Sequence, residues 1–271
     1  MNRLSLNQAT TRSWSVAEAV DGCARAGITG IGLWREHVAA QGLAESAKLV
    51  RDAGLTVTSL CRGGFFTASD PAERAKALAD NEKAIAEAAT LGTDVLVLVS
   101  GGLPAGQSDV DGARQRVVDA LGSLAPVAAE HGVRLAIEPL HPMYCSDRCV
   151  VSTLDQAVDI ASEFPAEQVG VVVDTYHVWW DPGVYRAIER AGRRIASFQV
   201  ADWVTPLPEG VLLGRAMIGD GCVELRRLRE AVDHAGYRGP IEVEIFNQEL
   251  WDSPGGEVLE LMVARYREHV L

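Results

Sequence analysis

Short apolar runs recur along the whole chain, separated by longer stretches rich in Ala, Glu and Arg. The runs occupy residues 4–8, 30–33, 55–60, 94–99, 134–138, 169–174, 196–201 and 241–245. Most are nearly continuous in Val, Ile, Leu and Ala rather than alternating, the pattern of a parallel strand covered on both faces. The stretches between them carry helical spacing and explicit end signals. Ser15-Val-Ala-Glu18 and Thr153-Leu-Asp-Gln156 are capping boxes, and Asp70-Pro71 sets a cap before a proline at the first helical position. Gly27, Gly54, Gly92, Gly132 and Gly236 stand where a helix end favours a left-handed residue, and each is soon followed by the next strand. Eight strands alternating with eight helical segments predict an α/β fold, a (β/α)8 TIM barrel built by residues 1–271 as a single domain. The competing architecture, an open doubly wound sheet, ordinarily has a glycine-rich phosphate turn after its first strand, and none stands there in this chain.

Composition narrows the functional classes. With 48% hydrophobic and 23% charged residues over 271 positions, the chain has the make-up of a globular protein with a large core. No apolar run approaches the ~18–20 residues that span a bilayer. The opening MNRLSLNQATTRSW lacks the apolar segment of a secretory signal. The formal charge of −12, from 37 acidic against 25 basic residues, disfavours a surface that neutralises nucleic-acid phosphates. Cys23, Cys61, Cys145, Cys149 and Cys222 form no zinc or disulfide pattern and read as free thiols in a cytoplasmic protein. The expectation is a small-molecule partner, with neither membrane nor nucleic acid.

Barrel active sites are assembled at the C-terminal ends of the strands. Four consecutive strands here end in polar groups: Glu138 after Leu-Ala-Ile, Asp174 after Val-Val-Val, Gln199 after Ser-Phe, and Glu244 after Ile-Glu-Val. A carboxylate at the rim of an apolar barrel is costly unless paired or bound to a cation, and three on one mouth repel one another. One divalent ion resolves both problems. The expected ligands are Glu138, Asp174, Gln199 and Glu244, an all-oxygen set that favours Mg or Mn over zinc. Glu242 shares a strand face with Glu244 and is expected one layer deeper, with Arg134 as a candidate partner.

Strands five to eight, read as IEPLH, VVVDTYHVWW, FQVADW and IEVEIF, resemble the xylose-isomerase-like TIM barrels. This is the sugar-phosphate isomerase/epimerase superfamily, which also includes endonuclease IV. The second half of the chain carries the specific likeness. In the sugar epimerases a Glu, Asp, His, Glu quartet binds Mn, Mg or a similar ion, and by position it falls on Glu138, Asp174, Gln199 and Glu244. Gln199 departs from the usual His, which bears on metal identity and affinity. The trinuclear zinc site of the endonuclease branch is matched at Glu138, Asp174, His177 and Glu244. Its further His ligands are missing, because the turns after strands three and four read Cys61-Arg-Gly-Gly and Val99-Ser-Gly-Gly, and its later Asp-x-His is Gly214-Arg215-Ala216 here.

The resemblance implies that His177 and Arg215 contact substrate. His141 is a further candidate, for substrate or for completing the metal shell, and Arg62 lies just past strand three. Trp34 and Trp203 are expected as pocket walls, since aromatic faces stack on the C–H faces of sugars, and Trp179–Trp180 as packing. Residues 143–151 are expected to form a loop over the site. With a cation stabilising a carbonyl oxygen, Glu138 and Glu244 would remove and return a proton on the neighbouring carbon through an enediolate. That defines a sugar or sugar-derivative isomerase/epimerase. The alternative is a lyase of the same superfamily, a keto-inositol dehydratase or a 3-keto-glycoside-cleaving enzyme, the latter with a small partner subunit. A non-catalytic sugar-binding barrel and a DNA-repair endonuclease rank lower. The resemblance is also compatible with a homo-oligomer.

Overall fold

A computed structural model describes residues 3–271. The strands are β1 Leu4–Asn7, β2 Gly30–Trp34, β3 Thr56–Gly64, β4 Val95–Val99 and β5 Arg134–Glu138. They continue with β6 Val169–Asp174, β7 Ile195–Val200, β8 Asp202–Trp203, β9 Arg215–Ala216 and β10 Ile241–Val243. Eight of them close a parallel barrel in the order β1-β10-β7-β6-β5-β4-β3-β2. The predicted (β/α)8 barrel is therefore the observed fold. The short antiparallel ribbon of β8 against β9 is an excursion after the seventh barrel strand that the apolar pattern did not signal. Among the described residues no helix is long and apolar enough to cross a membrane.

The absence of alternation in the strands has a simple cause. In β4, Val95 and Val97 join Cys61, Ala136 and Val172 in a small cluster inside the barrel, while Leu96 and Leu98 belong to the larger core between barrel and helices. Both faces of the strand are thus apolar, as a doubly covered parallel strand requires.

The helix ends follow the local chemistry closely. Glu18 accepts from the Ser15 backbone N–H at 2.7 Å, while the Glu18 N–H donates to Ser15 Oγ at 3.3 Å, a complete capping box. Asp70 Oδ1 accepts from the N–H groups of Ala72 and Glu73. The box at Thr153 is shifted: Thr153 Oγ1 accepts from Gln156 N–H, but the Gln156 side chain accepts from the Ser152 N–H.

Below the mouth lies a polar layer. Glu242, almost wholly buried, accepts from Ser59 Oγ at 3.0 Å, Ser197 Oγ at 3.1 Å and Asn7 Nδ2 at 3.4 Å. Arg134 is not its partner. Its guanidinium donates to the backbone oxygen of Arg193, outside this layer. The carboxyl instead finds hydroxyls from β3 and from the neighbouring β7, which satisfy it without a second buried charge. Gly32 makes the space, since a Cβ there would overlap Glu242 Oε2.

Candidate active site

Each strand-end residue is delivered to the mouth by the register of its strand. Glu138 closes β5, Asp174 closes β6, and Gln199 in β7 is the direct ladder partner of Asp174. Glu244 follows the last ladder residue of β10, its N–H donating to Val200 O at 3.2 Å. All four are buried. Beyond β6 the chain turns into a short helix, Thr175–Val178, capped by Asp174 Oδ1 accepting from Tyr176 N–H at 2.8 Å. That turn brings His177 back over Asp174.

The resulting group differs from the expected quartet in gaining His177 and in leaving Glu244 outside the tight cluster. Ligand-capable atoms of Glu138, Asp174 and His177 lie within 4.8 Å of one another, so an imidazole joins the carboxylates. Both ring nitrogens of His177 face donors: the His141 backbone N–H at 3.2 Å from Nδ1, and Arg215 Nη2 at 3.1 Å from Nε2. Burial first, then the positive charge of Arg215, holds the pKa of His177 well below its ordinary value, so the ring is neutral.

Arg215, carried in by β9, is the hub of the site. Its Nη1 donates to Asp174 Oδ2 at 2.7 Å, lies 3.2 Å from Glu244 Oε2, and reaches the Glu244 backbone oxygen at 3.1 Å. Its guanidinium carbon lies over the rings of Tyr176 at 4.8 Å and Phe246 at 5.2 Å. Arg215 therefore acts as counter-ion to the carboxylates as well as lining the cavity.

One guanidinium cannot balance three carboxylates in a dry site. Burial, then Glu244 and Asp174, pushes the Glu138 carboxyl well above its usual range. Glu244 is raised to about 8, burial outweighing the opposing effect of Arg215. Glu138 Oε1 and both amide atoms of Gln199 are buried without a hydrogen-bond partner. Unpartnered buried oxygens beside a surplus of negative charge are what a divalent cation would satisfy. The clustered carboxylates of Glu138 and Asp174 and the imidazole of His177 fit such an ion, with the Glu244 carboxylate and the unpartnered Gln199 amide buried at the same strand ends.

The mouth opens into a cavity of about 260 Å³. Among the expected contact residues, Trp34, Arg62, His177 and Arg215 line it together with Glu138 and Glu244. Trp34 is fixed by donation from Nε1 to Asn7 Oδ1 at 2.8 Å and by edge contact with Phe246. His141 and Trp203 do not line the cavity. They stack on each other at 5.1 Å, and His141 Nδ1 accepts from Met143 N–H. Trp203 is held in the core by Tyr176 and Trp179. His141 acts on the site through its backbone N–H to His177, a contact that no side-chain pattern reveals. The loop at residues 143–151 reaches the cavity through Tyr144 and Arg148. Arg12, Glu36 and Phe65 also line it, and no motif in the sequence marks them.

A closed barrel with carboxylates gathered at one mouth defines a class, and comparison places the chain within it. Residues 20–267 match the family model for the xylose isomerase-like TIM barrel, and the chain belongs to that family. A crystal structure of a protein from Sinorhizobium meliloti 1021 is 48% identical, with a TM-score of 0.96 over 99% of this chain and 98% of that one. Inosose isomerase of Bacillus subtilis (strain 168) is 27% identical over 147 residues, covering 53% of this chain and 51% of the relative. A 3-dehydroshikimate dehydratase of Pseudomonas aeruginosa is 32% identical over 163 residues, covering 58% of this chain and 24% of the relative. The chain thus spans about half the length, or less, of these curated relatives.

Proposed function

We propose that the protein is a divalent-metal-dependent isomerase or epimerase of a sugar or cyclitol, working by removal and return of a proton beside a carbonyl. The observation that carries this reading is the pair Glu138 and Glu244. Both carboxyls are buried, both line one cavity, and burial raises the proton affinity of both. Their strands, β5 and β10, stand three places apart in the eight-membered ring, so the two groups approach a bound molecule from different sides. Similarity to inosose isomerase supports a cyclic polyol or its keto form as the substrate class.

A divalent cation held by Glu138, Asp174, His177, Gln199 and Glu244 would stabilise negative charge on an oxygen of the substrate. The imidazole donor admits zinc as well as Mn and Mg. The remaining work falls to the chain. Glu244, in contact with Arg215, ionises more readily and serves as base. Glu138 lies beyond ion-pair distance of Arg215 and keeps its proton more strongly, so it serves as acid. Return of a proton to the opposite face inverts the centre and gives an epimerase; return to the neighbouring carbon gives an isomerase. Trp34 and Tyr144 exclude water and offer aromatic surface to the ring.

A second reading keeps the site and changes the outcome: the same proton removal could expel water or an aglycone. Similarity to the dehydratase favours keeping it. One experiment separates the two. The manganese-supplemented protein is incubated in D2O with ketoses, keto-inositols and 3-keto-glucosides and followed by NMR. Deuterium in a rearranged product that has lost no group supports the isomerase; loss of water or aglycone assigns a lyase. Glu244→Gln should slow exchange by about 100-fold or more, and wild-type exchange in that variant would refute the acid–base assignment.

A further inference from the structure

The cavity is lined by both acids and arginines. Beside the buried Glu138, Glu244 and Arg215, three further arginines, Arg12, Arg62 and Arg148, line it. These arginines are poorly matched by the protein itself. Among the described residues neither Arg12 nor Arg62 has a carboxylate within ion-pair distance, and Arg148 meets only its exposed neighbour Asp147, at 3.6 Å. Glu36 shares the lining without reaching any of them at that distance.

Arg62 is the most informative of the three. It is half-buried, and its guanidinium carbon lies 4.5 Å over the ring of Phe65 and 6.0 Å from that of Trp34. Aromatic contacts hold its charge without using its N–H groups, and among the described residues it has no hydrogen-bond acceptor. Burial lowers its pKa; Glu36 opposes that effect and the nearby charge of Arg148 adds to it. Arg62 and Arg148 thus line one cavity with N–H groups that no carboxylate among the described residues other than that of Asp147 meets at ion-pair distance, and an anion bound there would engage both.

We infer that the substrate carries an anionic group, a carboxylate or a phosphate, which Arg62 and Arg148 bind within the cavity. This deepens the proposed function and rests on it for the reacting end of the molecule. The guanidinium fork of Arg62 would take the anion bidentately, with Arg148 adding charge from the loop. A neutral sugar or cyclitol would leave both unpaired and bind more weakly.

Titration calorimetry with D-glucose, D-glucuronate and D-glucose 6-phosphate tests the inference, on both the manganese-supplemented and the chelated protein. One of the two anions should bind the wild type about 10- to 100-fold more tightly than glucose. Which anion does so distinguishes carboxylate from phosphate. Arg62→Gln should bring that ratio close to one. Arg62→Lys should retain part of it, because charge survives and the fork does not. Equal affinity for all three probes, absence of binding by any, or a preference that survives Arg62→Gln together with Arg148→Gln would overturn the inference. An anion preference in a protein that exchanges no deuterium would uphold the anion subsite and defeat the isomerase reading alone.

Discussion

Arg215→Gln removes the one protein cation from among three buried carboxylates, and its cost can be worked from the geometry. Its contacts with Asp174 and Glu244 are 2.7 and 3.2 Å long. At an effective dielectric of about 20 these are worth ~6 and ~5 kcal/mol of gross attraction, most of it offset by the desolvation of the charges. Glutamine leaves the carboxylates desolvated and unpaired, which for a buried pair broken on one side costs about 3–5 kcal/mol. For a protein of this size each kcal/mol moves Tm by roughly 2–4 °C, so the midpoint should fall by roughly 6–20 °C. The assay is urea and thermal unfolding followed by circular dichroism, in chelator at pH 8. The sign of the pH dependence is fixed by the same argument. Protonating Glu138 and Glu244, both raised by burial, removes part of the orphaned charge, so the gap between variant and wild type must narrow as pH falls from 8 to 5. Adding manganese should rescue the variant more than the wild type, because the bound ion supplies the lost positive charge. A loss below about 1 kcal/mol in chelator would refute the reasoning, as would a gap that widens on acidification.

Two further perturbations probe the layer beneath the mouth. Burial raises the Glu242 carboxyl above its ordinary 4.5, against the hydrogen bonds of Ser59, Ser197 and Asn7. Its contribution to stability is therefore greatest below 4.5 and is lost as pH rises through the higher folded value. Glu242→Gln should accordingly gain stability on the wild type between pH 5 and pH 8, measured by denaturant unfolding at both; a constant difference would show that the group does not titrate differently on folding. Gly32→Ala places a methyl group against Glu242 Oε2, which Ser59 and Asn7 hold in place, and should cost about 1–3 kcal/mol. In a double-mutant cycle with Glu242→Ala the two losses should fall short of additivity, and strict additivity would show that the two residues do not meet.

The barrel was legible because its signals are local. Doubly covered strands need continuous apolar runs, and the helices between them announce their ends through residues such as Ser15, Glu18 and Asp70. The carboxylates were legible for a related reason. Charge at the end of an apolar strand is unfavourable enough that Glu138, Asp174 and Glu244 stand out without any knowledge of their neighbours. The failures share a different character. Trp203 and His141 lie at the right places in the chain, yet the half-buried His141 stacks on the buried Trp203 and neither lines the cavity. Trp203 is held by Tyr176 and Trp179, which arrive from the turn after β6. Glu242 finds Ser59 and Ser197, not Arg134, because barrel closure brings β3 and β7 hydroxyls to it while Arg134, at the start of β5, is engaged by the Arg193 backbone oxygen.

The amino-acid sequence by itself thus determined the number and kind of the elements, the closed parallel architecture they can form, and the acidic character of one mouth. Periodicity, capping and the cost of burying charge act over a few residues. Only the tertiary structure decided what surrounds those acids. It placed the Arg215 guanidinium between Asp174 and Glu244, folded His177 back over Asp174, and brought Arg12, Arg62 and Arg148 to one cavity. Each of those contacts joins residues far apart in the chain or depends on a single turn. Electrostatic strength is set by distances of a few ångströms that exist only once the barrel has closed.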